Sequence, residues 1–148
     1  MDLLSHLRGG SVYLDTNVFI YYMEGFEEYR PQLVALFRGI DERDLTGVTS
    51  LLTLAEALVR PFRQGDTARV EAYRTLLRSR DGFLVEPISE DILIEAARLR
   101  GRSRIRLPDA IHVATAIRSG SRSYLTNDRR MKGVEGIEVI VLADAVTD

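Results

Sequence analysis

The sequence predicts an α/β protein in which a parallel β-sheet is covered by helices on both faces. Short apolar runs typical of strands alternate with segments of helical periodicity, and this order is typical of parallel sheets. A chain of 148 residues is about the size of one domain and can bury one sizeable core. We find no internal repeat, linker or low-complexity tract. We therefore expect a single domain over 1–148, in which residues 1–10 are an N-terminal extension.

Local signals place the strands and helices along the chain. Ser50 is a good helix N-cap, Pro108 suits a first helical turn, and Gly25, Gly39 and Gly120 are stop signals. Strands are predicted at 12–15, 45–49, 83–88, 123–126 and 137–142. Helices are predicted at 16–22, 27–37, 51–59, 67–80, 89–100 and 108–119, with the third disturbed by Pro61. Ligands of parallel sheets bind beyond the carboxyl ends of the strands, so function is expected there.

The composition restricts any metal site to oxygen ligands. The chain contains no cysteine, which excludes disulfides and thiolate metal sites. His6 and His112 are its only histidines, which excludes a histidine-rich site. Oxygen ligands select hard ions such as Mg²⁺ or Mn²⁺.

Charge and hydropathy give coarser information about location. The 20 basic and 22 acidic residues nearly balance, so the net charge gives no global indication of nucleic-acid binding. The N-terminus lacks the order of a signal peptide, and the apolar stretches are too short to span a membrane. We expect a cytoplasmic protein without a membrane segment.

Four carboxylates occupy positions where such a sheet places functional groups. Asp15 and Asp128 follow predicted strands, and Asp109 lies in the first turn of an apolar helix. Glu56 lies one to two turns inside the helix that follows the second strand. Each has a simpler explanation when taken alone: an N-cap for Asp15, helix-dipole placement for Asp109, a turn for Asp128 and an exposed stripe for Glu56.

Taken together, the four acids predict a metal site. The strand ends and helix starts that carry them should meet at one edge of a parallel sheet. Carboxylates that close raise one another's pKa unless a cation neutralises them. A divalent metal supplies that charge, can activate water and can neutralise a phosphate. We predict hydrolysis of a phosphodiester, with a 5′-phosphate and a 3′-hydroxyl as products.

The segments 13–20, 49–56, 107–116 and 124–128 resemble the PIN-domain family, in particular the VapC-type toxins of toxin–antitoxin systems. The resemblance assigns Asp15, Glu56, Asp109 and Asp128 as the catalytic and metal-binding acids. It also places supporting hydroxyl and amide groups at Thr16, Asn17 and Thr126.

The family resemblance carries several further expectations. It implies a three-layer α/β/α fold with a central, mostly parallel sheet of four to five strands, and endoribonuclease activity dependent on Mg²⁺ or Mn²⁺. It implies homodimerisation, an RNA substrate and a cognate antitoxin that covers the active site. The ten residues before the first strand depart from many family members, and either a short helix or an extended gene start accounts for them.

Other functions remain as alternatives to a toxin. A non-catalytic PIN-like module that binds RNA or protein is the main one, and a PIN nuclease of general RNA processing is another. Aspartate-nucleophile phosphatases are disfavoured because Asp15 is not part of an Asp-x-Asp pair, and receiver domains because it has no acidic neighbour.

Basic residues near the acids are candidates for RNA binding. Arg129, Arg130 and Lys132 directly follow Asp128, where they could meet phosphates, although surface solubility also explains them. Arginines also alternate before Leu107, either as a phosphate-binding strip or as a solvated helix end and loop: Arg98, Arg100, Arg102, Arg104 and Arg106. His112 is interpreted as a packed core residue and stays outside the catalytic set.

Overall fold

The computed structural model describes residues 2–146 and contains a five-stranded parallel sheet in the order β3-β2-β1-β4-β5. The strands are β1 (Ser11–Leu14), β2 (Thr46–Ser50), β3 (Phe83–Glu86), β4 (Ser123–Thr126) and β5 (Glu138–Val141). The helices are α1 (Leu3–Leu7), α2 (Thr16–Glu24), α3 (Arg30–Asp41), α4 (Leu51–Arg63), α5 (Thr67–Leu76), α6 (Glu90–Gly101), α7 (Leu107–Arg118) and α8 (Leu142–Val146). Two 3₁₀ turns cover Glu27–Tyr29 and Arg129–Gly133.

Helices cover both faces of the sheet, which confirms the three-layer α/β/α prediction. One core contains side chains from α1 to α5 and α8 together with Val12 and Leu14 of β1. The other packs α6 and α7 against Tyr13, Val48 and Tyr124 from the opposite face. Side chains of a strand alternate between the two faces, so β1 contributes to both cores. Within residues 2–146 no helix is both long enough and apolar enough to cross a membrane.

The order of the strands decides which strand ends meet. β1 pairs with β2 on one side and with β4 on the other, and Tyr13 lies opposite Val48 and Tyr124. Because all three strands are parallel, their carboxyl ends lie at the same edge. Asp15, directly after β1, is therefore flanked by the ends of β2 and β4.

Several predicted helix ends are wrong, and packing explains the differences. Gly39 does not end α3, which continues to Asp41. A Cβ atom on Gly39 would lie 2.7 Å from side-chain atoms of both Leu4 and Leu45, so the glycine serves close packing instead. Pro61 likewise lies inside α4, where it is buried. A proline removes one helical hydrogen bond, which kinks or breaks a helix, yet α4 continues beyond it.

The strand–helix pattern left other segments unresolved. α5 ends at Leu76, four residues before its predicted end, because Leu77 leaves the helical conformation. Residues Leu3–Leu7 form α1, as one of the two expectations for the first ten residues had it, and Leu3 and Leu7 are buried in the core with α3. The sequence pattern predicted neither α8 nor the 3₁₀ turn after β4.

Candidate active site

Asp15 is a buried carboxylate at the end of β1 and caps α2. Its Oδ1 accepts a hydrogen bond from the backbone N–H of Thr16 at 2.8 Å, and its Oδ2 accepts one from the Thr126 hydroxyl at 2.7 Å. Burial raises the pKa of Asp15 and the negative charge of Asp109 raises it further, although His112 and both hydrogen bonds act in the opposite direction. Ionising Asp15 therefore costs more free energy in the folded protein than it does in water.

Glu56 of α4 lies beside Asp15 through a shared threonine. The hydroxyl of Thr16 donates to Oε1 of Glu56 at 2.7 Å, and Nε2 of His112 lies 2.6 Å from the same oxygen. Burial by itself raises the pKa of Glu56, but the hydrogen bonds from His112 and Thr16 outweigh it and leave this pKa lowered. Glu56 is therefore held in its ionised form, as an oriented hydrogen-bond acceptor.

His112 is hydrogen-bonded to the candidate site, a contact that the sequence interpretation missed. The ring is 1% exposed, as a core residue should be, but it also bridges Glu56 and Tyr13. Its Nδ1 lies 2.7 Å from the hydroxyl of Tyr13. A tautomer protonated at Nε2 donates a hydrogen bond to Glu56 and accepts one from Tyr13 at Nδ1. Both ring nitrogens and the Tyr13 hydroxyl then have a hydrogen-bond partner. His112 follows Asp109 by three positions in α7, so the two share a helix face, and that spacing was the available signal.

Asp109 and Asp128 lie at the same edge but are paired with arginines. Arg106 Nε is 3.5 Å from Asp109 Oδ2, and Arg130 contacts both oxygens of Asp128, at 3.0 Å and 2.6 Å. Hydrogen bonds from Arg130 lower the pKa of Asp128, and the charge of Arg106 lowers it too. Arg106 also lowers the pKa of Glu56, so this guanidinium lies within electrostatic reach of three of the four acids.

The predicted supporting residues link the two strand ends. The Thr126 hydroxyl, which donates to Asp15, accepts from Asn17 Nδ2 at 3.2 Å and from the Asp128 N–H at 3.0 Å. Asn17 Oδ1 in turn accepts from the backbone N–H of Asn127 at 3.1 Å. Thr126 therefore fixes Asp15 relative to the turn that carries Asp128.

The acids fit a hard metal ion by their chemistry, although they do not form a preassembled cluster. Among residues 2–146, no three Asp, Glu or His side chains are gathered closely enough to ligate one ion. The hydroxyl of Tyr124 is buried and forms no hydrogen bond of ordinary geometry within residues 2–146. Burial, the charges of Asp15 and Asp109 and a weak side-chain contact with Asp15 raise the pKa of Tyr124, so its hydroxyl lies close to the Asp15 carboxylate. An unsatisfied hydroxyl beside carboxylates favours a site that accepts a further oxygen ligand such as water.

The three basic residues after Asp128 divide into two groups. Arg130 pairs with Asp128, whereas Arg129 and Lys132 lie 2.8 Å and 3.6 Å from the carboxylate of Asp144 in α8. Arg130 therefore belongs to the acid site, and the other two are attached to the C-terminal helix.

Known proteins of one kind resemble this chain in sequence and fold. The model of the PIN domain matches residues 12–137. A toxin–antitoxin complex from Klebsiella pneumoniae is similar at 25% identity and a TM-score of 0.65, over 88% of this chain and 97% of that chain. VapBC2 from Rickettsia felis, bound to a DNA fragment of its promoter, is similar at 15% identity and a TM-score of 0.70, over 88% and 98%. VapC20 from Mycobacterium tuberculosis, a toxin that cleaves the sarcin–ricin loop, is similar at 17% identity and a TM-score of 0.59, over 76% and 86%. No curated protein matches the sequence.

Proposed function

The chain belongs to the PIN-domain family, and we propose that it is a Mg²⁺- or Mn²⁺-dependent endoribonuclease, the toxin of a VapBC-type pair. The observation that carries the proposal is the buried carboxylate of Asp15 at the end of β1, which hydrogen bonds from Thr16 and Thr126 hold in place and whose pKa is raised by burial. Burial makes the ionisation of this carboxylate costly in free energy. A divalent cation offsets that cost, because it supplies the positive charge that a desolvated acid pair lacks. The similarity to a toxin that cleaves RNA supports RNA as the substrate.

The proposed metal ligands are Asp15, Glu56, Asp109 and Asp128. Mg²⁺ or Mn²⁺ bound there would activate water and neutralise charge on the phosphate. Thr16 and Thr126 hold the Asp15 carboxylate in one orientation by donating to its two oxygens. His112 holds Glu56, and its other nitrogen is fixed by Tyr13, as in sites where a second hydrogen bond sets the ring orientation.

Arg106 and Arg130 have a second role in this proposal. Both are paired with acids in the structure, and both are side chains suited to bidentate contacts with phosphate. A metal ion at Asp109 and Asp128 would neutralise the negative charge of those carboxylates in place of the two arginines. Each guanidinium could then bind a non-bridging oxygen of the RNA backbone.

The proposed partners are a cognate antitoxin and a second copy of the chain, with RNA in the cytoplasm as the target. Structural neighbours that are toxin–antitoxin complexes support the antitoxin. α4 also presents the exposed apolar side chains of Leu51, Val59 and Phe62 along one face. Exposed apolar surface of this kind is typical of protein interfaces. General RNA processing by the same nuclease is the alternative role.

Metal-dependent RNA cleavage tests the enzyme proposal. Purified protein is incubated with mixed RNA in Mg²⁺, in Mn²⁺ and in EDTA, beside Asp15→Asn and the matched Asp66→Asn variant, which changes the N-cap of α5 outside the site. We expect cleavage that needs metal, is lost in Asp15→Asn and persists in Asp66→Asn.

A thermal-denaturation series with and without Mg²⁺ gives a second readout. A metal at a hundredfold its Kd stabilises the folded state by about 2.7 kcal/mol, and Asp15→Asn should reduce this gain. If the protein neither cleaves RNA nor is stabilised by metal, the enzyme proposal is contradicted and a non-catalytic binding module is favoured.

A further inference from the structure

A cavity of about 530 Å³ opens beside the acid site, between the α6–α7 connection and the 3₁₀ turn after β4. Four apolar side chains form part of its wall: Leu99, Ile105, Met131 and Val134. Met131 and Leu99 are buried, while Ile105 and Val134 are half-buried, so the wall is fixed by the core beneath it. The volume lies within the roughly 300–1,000 Å³ range of small-molecule sites.

The cavity also carries a strong excess of positive charge. Arg102, Arg104, Arg106 and Arg130 line it, against two carboxylates, Asp109 and Glu135. Arg106 and Arg130 are the arginines paired with the acid site, which makes the cavity continuous with that site.

The two outer arginines carry charge that the protein itself does not balance. Within residues 2–146, Arg102 and Arg104 form no ion pair, and both are exposed. Arg98, by contrast, pairs with Glu95 on the surface of α6. The alternating arginines of the sequence therefore divide: Arg98 belongs to a solvated helix, whereas Arg102, Arg104 and Arg106 face one cavity.

We propose that this cavity binds the nucleotide adjacent to the scissile phosphate of a single-stranded RNA, an inference that rests on the proposed nuclease function. The base packs against the apolar wall formed by Ile105 and Val134, and Arg102 and Arg104 bind the phosphate on its far side. Proteins that bind single strands combine a cationic track with surfaces that cover the bases, and arginine planes also stack on bases. Because Asp109 belongs to both the acid site and the cavity wall, the bound nucleotide is the immediate neighbour of the cleaved bond.

Binding without metal tests the cavity separately from catalysis. The probe is a fluorescein-labelled single-stranded RNA of mixed sequence, titrated in EDTA and followed by fluorescence anisotropy. The double variant Arg102→Ala/Arg104→Ala is compared with Arg63→Ala/Arg78→Ala, which removes two exposed arginines outside the cavity. We expect the cavity variant to weaken binding by about tenfold, and to reduce the slope of log K against log salt by about 0.7 for the one phosphate that the two arginines bind. Equal losses in both double variants would overturn the proposal.

A variant that fills the cavity tests base recognition. Val134→Trp introduces a large ring into the cavity, and Leu93→Trp places the same ring on the exposed face of α6. Cleaved RNA ends are sequenced, and substrates with an abasic residue beside the cut are compared with intact ones. We expect Val134→Trp to lose base preference at one position and to cleave the abasic substrate as fast as the unmodified protein does. Thermal melts of each variant confirm that it is folded.

The outcomes separate the two proposals. Cleavage with unchanged base preference in Val134→Trp, together with unchanged RNA binding in Arg102→Ala/Arg104→Ala, overturns the nucleotide cavity and leaves the nuclease intact. Loss of RNA binding in that double variant, without cleavage by the unmodified protein, overturns the nuclease and leaves an RNA-binding cavity.

Discussion

Two stacked tyrosines allow the hydrogen-bond chain behind the acid site to be tested with one chemical change. Tyr13 and Tyr124 lie on adjacent strands, and their ring centroids are 5.1 Å apart with an interplanar angle of 16°. Both rings are 0% exposed. The hydroxyl of Tyr13 lies 2.7 Å from Nδ1 of His112, whereas the hydroxyl of Tyr124 forms no hydrogen bond of ordinary geometry in the described part of the chain. Replacement by phenylalanine removes only the hydroxyl and keeps the stacked ring.

The two variants should differ in the free energy of unfolding. Tyr13→Phe leaves the buried Nδ1 of His112 unsatisfied, which costs about 1–3 kcal/mol. Tyr124→Phe breaks no hydrogen bond of ordinary geometry and removes a buried hydroxyl that lost its water on folding, so we expect a change between zero and a stabilisation of about 1 kcal/mol. The expected difference of about 2 kcal/mol corresponds to a roughly thirtyfold difference in the unfolding equilibrium constant.

Urea denaturation followed by circular dichroism in EDTA measures both free energies. The midpoint should fall for Tyr13→Phe and stay level or rise for Tyr124→Phe, with unchanged slopes. An equal loss in the two variants would refute the reasoning, since ring packing or an unseen partner of Tyr124 would then explain both.

Two further predictions concern parts of the fold outside the acid site. Burial by itself raises the pKa of Glu24, but hydrogen bonds from Arg69 and Tyr73 outweigh it and lower that pKa, so Glu24 stabilises the fold above its ordinary pKa of 4.5. This stability should be lost as the pH falls through the lowered pKa, and urea midpoints across that range should fall less in Glu24→Gln. Gly39→Ala should destabilise the fold by about 1–3 kcal/mol because its Cβ would lie 2.7 Å from atoms of Leu4 and Leu45. Gly101→Ala, whose Cβ meets no atom within 4 Å, should be neutral or stabilising. Thermal denaturation of the two glycine variants beside the unmodified protein measures both effects.

The sequence was sufficient for the fold class because hydrophobic periodicity and helix caps are local signals. Ser50 is an N-cap as predicted, and β4 begins and ends as predicted. The order of the strands is different in kind, since it depends on contacts between distant segments. Gly39 is an example at a single residue. It packs against Leu4 of α1 and Leu45, which precedes β2, and these contacts are not visible in the local sequence. A buried glycine within a helix was therefore interpreted as a stop signal.

The acid site was predictable to the extent that topology alone determines it. Asp15 directly follows β1 and Thr126 is the last residue of β4, so a parallel sheet that pairs β1 with β4 brings them together, and their hydroxyl–carboxylate bond is 2.7 Å long. The arginine pairs were not predictable in this way. Arg106 precedes Asp109 by three positions and Arg130 follows Asp128 by two, but such spacings occur along any exposed helix or turn.

His112 is a case in which local pattern and topology have to be combined. An apolar helix around a histidine is correctly interpreted as buried, but burial makes a polar ring require partners rather than excluding it from a site. The residue three positions earlier, Asp109, was already a candidate, so the helix face that carries both must point towards the acids. A buried histidine on that face has few groups to bond except the other candidates, and it bonds Glu56. A buried imidazole needs hydrogen-bond partners, and the three-residue spacing places His112 on the same helix face as Asp109. Together these two facts predict that His112 bonds to the acid site, although its apolar neighbours indicated only a core position.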